Sequence, residues 1–215
     1  MDIRILAGEE GKQMVEKAHK KIFRNLGASN HTKDERQELD FYATHPSAAT
    51  ALMDVEDFYG MIWEPAAGMG HLARELRKKH IVYCSDIIKR SYAVGEKDFL
   101  TVNMQNMNIN IVTNPPYKQA QEFIEKSLNV ISEGYKVCMF LKLTFCEGKK
   151  RAIFFKKHPP KRIWVFSSRI AIAKDGDFEA YAKTGGSAIC FAWFIWEKGY
   201  TGKTTLDWIP WNSYN

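Results

Sequence analysis

The chain has 215 residues, 45% of them hydrophobic and 13% aromatic, enough for one substantial core and too apolar for a disordered polypeptide. Its formal charge of +6 and pI of about 9.0 permit a polyanionic partner without requiring one. The longest apolar run, Ser187–Trp196, is far shorter than the roughly 20 residues of a bilayer-spanning helix, and the polar start MDIRILAGEEGKQ does not read as a secretory signal. A cytoplasmic protein without a membrane partner is expected. Cys84, Cys138, Cys146 and Cys190 form no C-x-x-C pair and no zinc-spaced set with histidine. They read as buried free thiols in a reducing compartment, and no metal is expected.

Residues 9–25 place Met14, Val15, Ala18, Ile22 and Phe23 at helical spacing among lysines, which predicts an amphipathic basic helix. Residues 30–40 are polar. An extended aromatic segment, Asp40-Phe41-Tyr42-Ala43-Thr44-His45, precedes Pro46, and Pro46 suits the first position of a helix running through Ala48, Ala49, Ala51, Leu52 and Met53. Met61-Ile62-Trp63 reads as a short strand. It runs into Glu64-Pro65-Ala66-Ala67-Gly68-Met69-Gly70 and then a helix through Leu72, Ala73, Leu76 and Lys79. Small residues and glycines let this loop approach a ligand closely. It lacks the dinucleotide G-x-G-x-x-G pattern, and Glu64 would repel a pyrophosphate but welcome an ammonium group. Ile81–Ser85 is the next strand, with Asp86 at its C-terminal end. A carboxylate there, one β-α-β unit after the glycine loop, can accept both hydroxyls of a ribose or simply cap a turn. Asp98-Phe99 closes a weaker segment, and a carboxylate beside an aromatic ring suits an adenine.

The run Ile109–Thr113 stops at Asn114-Pro115-Pro116-Tyr117. Neither proline can donate to a central ladder, so the strand ends abruptly with an amide, carbonyls and an aromatic ring at its C-terminal edge. That edge is where open α/β sheets bind ligands. A helix through Ala120, Phe123, Ile124 and Ser127, a strand at Val137–Leu143, a basic stretch at 147–158, a strand at Ile163–Phe166, a loop at 173–187 and an aromatic strand at Ile189–Glu197 follow, then a tail with Trp208 and Trp211. Alternating strands and helices predict an α/β fold with a mostly parallel sheet, helices on both faces and an antiparallel final pair.

The glycine loop, Asp86, Asp98-Phe99 and Asn-Pro-Pro-Tyr occur in an order that resembles the S-adenosylmethionine-dependent DNA adenine-N6 methyltransferases, and small phage or prophage members in particular. The resemblance spans about Asp40 to Glu197. It implies a Rossmann-like class I methyltransferase fold with a seven-stranded sheet and S-adenosyl-L-methionine as cofactor. It also implies a cofactor site from Tyr42, Thr44, Glu64, Pro65, Ala66, Gly68, Asp86, Ile87, Asp98, Phe99 and Asn114. Asn114, Pro115, Pro116 and Tyr117 are then the catalytic tetrapeptide, with DNA as the partner and adenine as the acceptor, flipped from its stack. In the family the N-terminal segment is followed directly by proline; here His45 intervenes.

Family members that read DNA sequence usually carry a large recognition region, and there is no room for one between Gly70 and Asn114. The expected organisation is an N-terminal helical extension (1–39) and one catalytic domain (40–215). Specificity is then left to residues 1–39, the loops at 144–160 and 167–187, a second copy, or a partner, or is simply low. The same tetrapeptide also serves enzymes that methylate RNA bases or a protein glutamine amide. A non-catalytic nucleic-acid-binding or cofactor-binding protein on the same fold is the third reading.

Overall fold

The computed structural model describes residues 42–89, 92, 95–168, 170, 172–174 and 189–209. The predicted helix at 9–25, the extension at 1–39 and most of the loop at 173–187 lie outside them. The described chain starts with β1 (Tyr42–Thr44) and α1 (Ser47–Val55). Pro46 precedes α1 with φ −52° and ψ −39°, a helical backbone that its ring presets. β2 (Met61–Glu64), α2 (His71–Leu76), β3 (Val82–Asp86) and the two-residue β4 (Gly95–Glu96) follow. β5 (Ile109–Thr113) ends at Asn114, and a 3₁₀ turn (Tyr117–Gln119) leads into α3 (Ala120–Val130). Then come β6 (Lys136–Lys142), α4 (Lys149–Lys157), β7 (Arg162–Phe166), β8 (Ile172–Lys174), β9 (Phe191–Glu197) and β10 (Thr205–Ile209).

One sheet takes the order β10-β7-β9-β6-β5-β2-β3-β4. Neighbours run parallel except around β9, which is antiparallel to both β6 and β7. The alternation of side chains along each strand sorts the interior into two cores. Cys138 and Phe140 of β6 join Phe191, Trp193 and Ile195 of β9 on the face covered by α1 and α2. Val137, Met139 and Leu141 join Ala192, Phe194 and Trp196 on the face covered by α3 and α4. Buried on both faces, β9 reads as a continuous apolar run, as a central strand should. The buried indole N–H groups find acceptors: Trp63 at Ser85 Oγ, and Trp193 at the Ala48 carbonyl, both at 2.9 Å.

The expected architecture is therefore the observed one, with eight strands in the main sheet where seven were expected. The additional strand is β10, in a segment that reads as a tail: TLDWI carries polar residues and is exposed except at Ile209, so only its ladder with β7 defines it. A second, two-stranded ribbon pairs β1 with β8, antiparallel, with Thr44 opposite Ile172. The cysteine expectation needs correction. Cys84 and Cys138 are buried, but Cys146 and Cys190 are exposed. Cys146 closes a 3₁₀ turn just past β6 and Cys190 directly precedes β9, so both fall at strand ends where the apolar runs leave the core.

Candidate active site

Three adjacent parallel strands end at one edge. The register pairs Trp63 of β2 with Tyr83 of β3 and with Ile111 of β5, so Glu64, Asp86 and Asn114 emerge side by side. They line a cleft of about 360 Å³ together with Thr44, Pro65, Ala66, Ile87, Asp98, Phe99, Pro115, Pro116 and Tyr117. Of the residues expected at the site, Gly68 is not in the cleft wall, but its N–H donates to Asp86 Oδ2 at 2.8 Å. Tyr42 belongs to β1, and the placement of its side chain lies outside what is described.

The loop after β2 is shaped by backbone need. Gly68 and Gly70 have φ of 53° and 77°, the left-handed region that side chains disfavour. A Cβ on Gly70 would also stand 2.0 Å from the Tyr92 ring. Tyr92 is in turn held by Arg77, whose guanidinium donates to its hydroxyl at 2.5 Å, and by Arg74, 4.7 Å from the ring centre. The turn places the Ala67 N–H on the Ser85 carbonyl at 3.0 Å, which closes the loop against the end of β3.

Asp86 is 5% exposed. Its Oδ2 accepts from Gly68 and its Oδ1 from the Ile88 N–H at 2.9 Å. A carboxylate oxygen can accept more than one hydrogen bond, so this bonding is compatible with a diol in the cleft. Glu64 is 2% exposed, and its Oε2 has no hydrogen-bond partner among the described residues. Burial pushes its carboxyl well above the usual carboxylate range; the Ala73 N–H opposes this, the Asp86 charge reinforces it and Arg77 opposes it. A buried acid of this kind waits for a proton or a cation.

Asp98 caps the 3₁₀ turn Phe99–Thr101, its Oδ1 accepting from the Leu100 N–H at 2.9 Å. Phe99 is only 1% exposed; it packs edge-on against Trp63, with centroids 5.1 Å apart, and tilted against Phe123 at 5.2 Å. It borders the cleft from within the core, whereas Ile87 and Ile88 line the cleft from exposed positions. Asn114 donates from Nδ2 to Thr44 Oγ1 at 2.8 Å. The Tyr117 ring lies under Lys142 Nζ at 4.6 Å and beside Phe191, which stacks on Phe140.

Sequence reasoning missed several cleft residues. His71, the first residue after the glycine loop, lines the cleft, and only its position there could have flagged it. Burial, then the charges of Arg74 and His45, lower the pKa of its imidazole. Phe123 reads as helix core in the sequence, and it is both core and cleft wall. Lys97, Lys118 and Gln119 border the cleft; nothing in their spacing marks them.

No protein-family model and no curated protein sequence matches the chain. Solved structures do. One is described as a class I S-adenosylmethionine-dependent methyltransferase of Listeria monocytogenes: TM-score 0.53, 14% identity, covering 97% of this chain and 75% of the other. A second is described as an RNA methyltransferase of Pyrococcus horikoshii: TM-score 0.55, 15% identity, covering 84% and 98%. A third is described as a modification subunit of a type I restriction enzyme of Vibrio vulnificus: TM-score 0.52, 11% identity, covering 93% and 51%. The chain has the Rossmann-like fold of class I methyltransferases, and the cofactor expected from its sequence is the one in the Listeria neighbour's description.

Proposed function

We propose that the chain transfers a methyl group from S-adenosyl-L-methionine to the exocyclic N6 amine of adenine in DNA. The observation that carries this reading is the position of Asn114-Pro115-Pro116-Tyr117 at the end of β5, in one cleft with Glu64 and Asp86. The residues fit the cofactor: the unpartnered buried oxygen of Glu64 suits its ammonium group, and Asp86 its ribose hydroxyls. Ile87 offers an apolar face to the cofactor's adenine, with Asp98 at its edge. Once bound there, the cofactor supplies an electrophilic methyl group on a positively charged sulfur.

The chain's own work is positioning. The acceptor amine is a poor nucleophile because its lone pair is delocalised into the ring. Asn114 Oδ1 and the Pro115 carbonyl accept its two N–H bonds, favour the pyramidal nitrogen and stabilise positive charge as it develops there. Tyr117 supplies a stacking face for the flipped base, on the order of 1–3 kcal/mol. The likeness to a restriction-modification subunit supports DNA as partner. The likeness to a protein described as an RNA methyltransferase is the reason to assay RNA as well. The interval between Gly70 and Asn114 holds no large recognition region, and a second copy or a partner is one source of specificity.

The test combines a variant with a choice of acceptors. Wild-type protein with labelled cofactor is offered adenine-containing DNA, RNA and protein, and label in N6-methyladenine of DNA is expected. Asn114→Ala should bind cofactor nearly normally, yet lose about 100- to 1,000-fold in single-turnover transfer, the usual cost of one preorganised group. Near-wild-type transfer by the variant would remove Asn114 from the chemistry.

A further inference from the structure

Thr44 lies on a different element from the tetrapeptide that it touches. It ends β1, is 3% exposed, and is held opposite Ile172 of β8 by the antiparallel ribbon. Its Oγ1 accepts the Asn114 Nδ2–H at 2.8 Å. We infer that Thr44 is a positioning residue that fixes the orientation of the Asn114 amide. An asparagine amide has a donor end and an acceptor end of nearly equal shape. The amine of a nucleobase presents N–H donors, so only the Oδ1 end can receive it, and a flipped amide would set donor against donor. With Nδ2 committed to Thr44, Oδ1 is turned to the opposite side. Threonine suits the task because branching at Cβ leaves its hydroxyl few rotamers, and the ribbon fixes the backbone that carries it. This role differs from the cofactor contact expected for Thr44 from the sequence, and it rests on the reading of Asn114 as the acceptor of the reacting amine.

The test uses Thr44→Val, which keeps the branching and removes the hydroxyl, and Thr44→Ser, which keeps the hydroxyl. Single-turnover transfer to adenine-containing DNA should fall about tenfold in Thr44→Val, the upper range for one neutral hydrogen bond, with the cofactor Kd within about twofold of wild type and Thr44→Ser close to wild type in both. Wild-type transfer by a folded Thr44→Val, equal losses in both variants, or a Kd that rises in step with the lost rate would overturn the inference. The side-chain amide signal of Asn114, assigned by its disappearance in Asn114→Asp, gives a readout without turnover. It should exchange slowly with solvent in wild type and Thr44→Ser and faster in Thr44→Val. Fast exchange in wild type overturns the inference even if Thr44→Val does not fold. If wild-type protein transfers no methyl group to DNA, the acceptor reading fails on its own, and the exchange measurement still decides the role of Thr44.

Discussion

Asp86 does two things with one carboxylate: it ties down the turns at Gly68 and Ile88 and, in the proposed function, holds the cofactor's ribose. Replacing Asp86 with Ala should therefore weaken cofactor binding by about 1–3 kcal/mol, the cost of hydrogen bonds to a charged partner. It should also lower the melting temperature, because two backbone N–H groups are left without their acceptor. Calorimetry beside thermal unfolding separates the effects; a destabilised variant with unchanged cofactor affinity would leave Asp86 a purely structural residue. Glu64 carries no such structural load on Oε2. That is why the sequence, which shows only an acid before a glycine loop, could suggest its ligand but not its burial.

Among the elements, the binding edge of the sheet was easier to read than its margins. β2, β3 and β5 announce themselves as short apolar or β-branched runs that stop at Glu64, at Asp86 and at Asn114 with its proline pair, and those stops line the cleft. The extended stretch that holds β1 was legible, but β10 and the pairing of β1 with β8 were not, since they are defined only by partners far away in sequence. The far end of the sheet is held by a cluster that the sequence also hid. Glu56, 5% exposed, accepts from Lys136 Nζ and Arg162 Nη1, both at 2.6 Å, and from Trp164 Nε1 at 2.9 Å. Burial alone would raise its pKa, but hydrogen bonds from Lys136 and Trp164 and the charges of Lys136 and Arg162 prevail and lower it. A depressed folded-state value means stability that is present above the ordinary carboxylate range and is lost as pH falls through the folded value. Glu56→Gln should cost about 3 kcal/mol at neutral pH, the low end for a broken buried pair, because Lys136 and Arg162 keep some solvent. The deficit should shrink in denaturant titrations run at progressively lower pH. A gap that stays constant with pH would assign the loss to packing instead.

At the scale of the whole molecule, a basic helix, α4, follows β6 on the side of the sheet where the cleft opens. β6 runs parallel to β5, so the turn after it and the start of α4 lie near Asn114. Arg151 is engaged there, its guanidinium 4.5 Å from the Phe145 ring centre and 3.2 Å from the Thr144 carbonyl, whereas Lys149 and Lys150 are exposed. Replacing both lysines with Gln should flatten the dependence of log DNA affinity on log salt by about 0.9 for each phosphate that is no longer neutralised. Identical slopes for wild type and variant, measured by fluorescence anisotropy, would make these lysines a solvated helix face. The same comparison run on RNA would show whether this surface serves nucleic acid in general.

β9 also sets a schedule for making the protein. It is the bridge between β6 and β7, yet it is translated after both. Until residues 191–197 have left the ribosome, the flank of β6 that will pair with β9 has no strand to close it, and Phe140 lacks the Phe191 ring it stacks on. At about 5–20 residues per second, that interval lasts several seconds. The cleft is thus built on strands made earlier, and the sheet that carries it is joined to β7 only when β9 is inserted and is complete only when β10 follows.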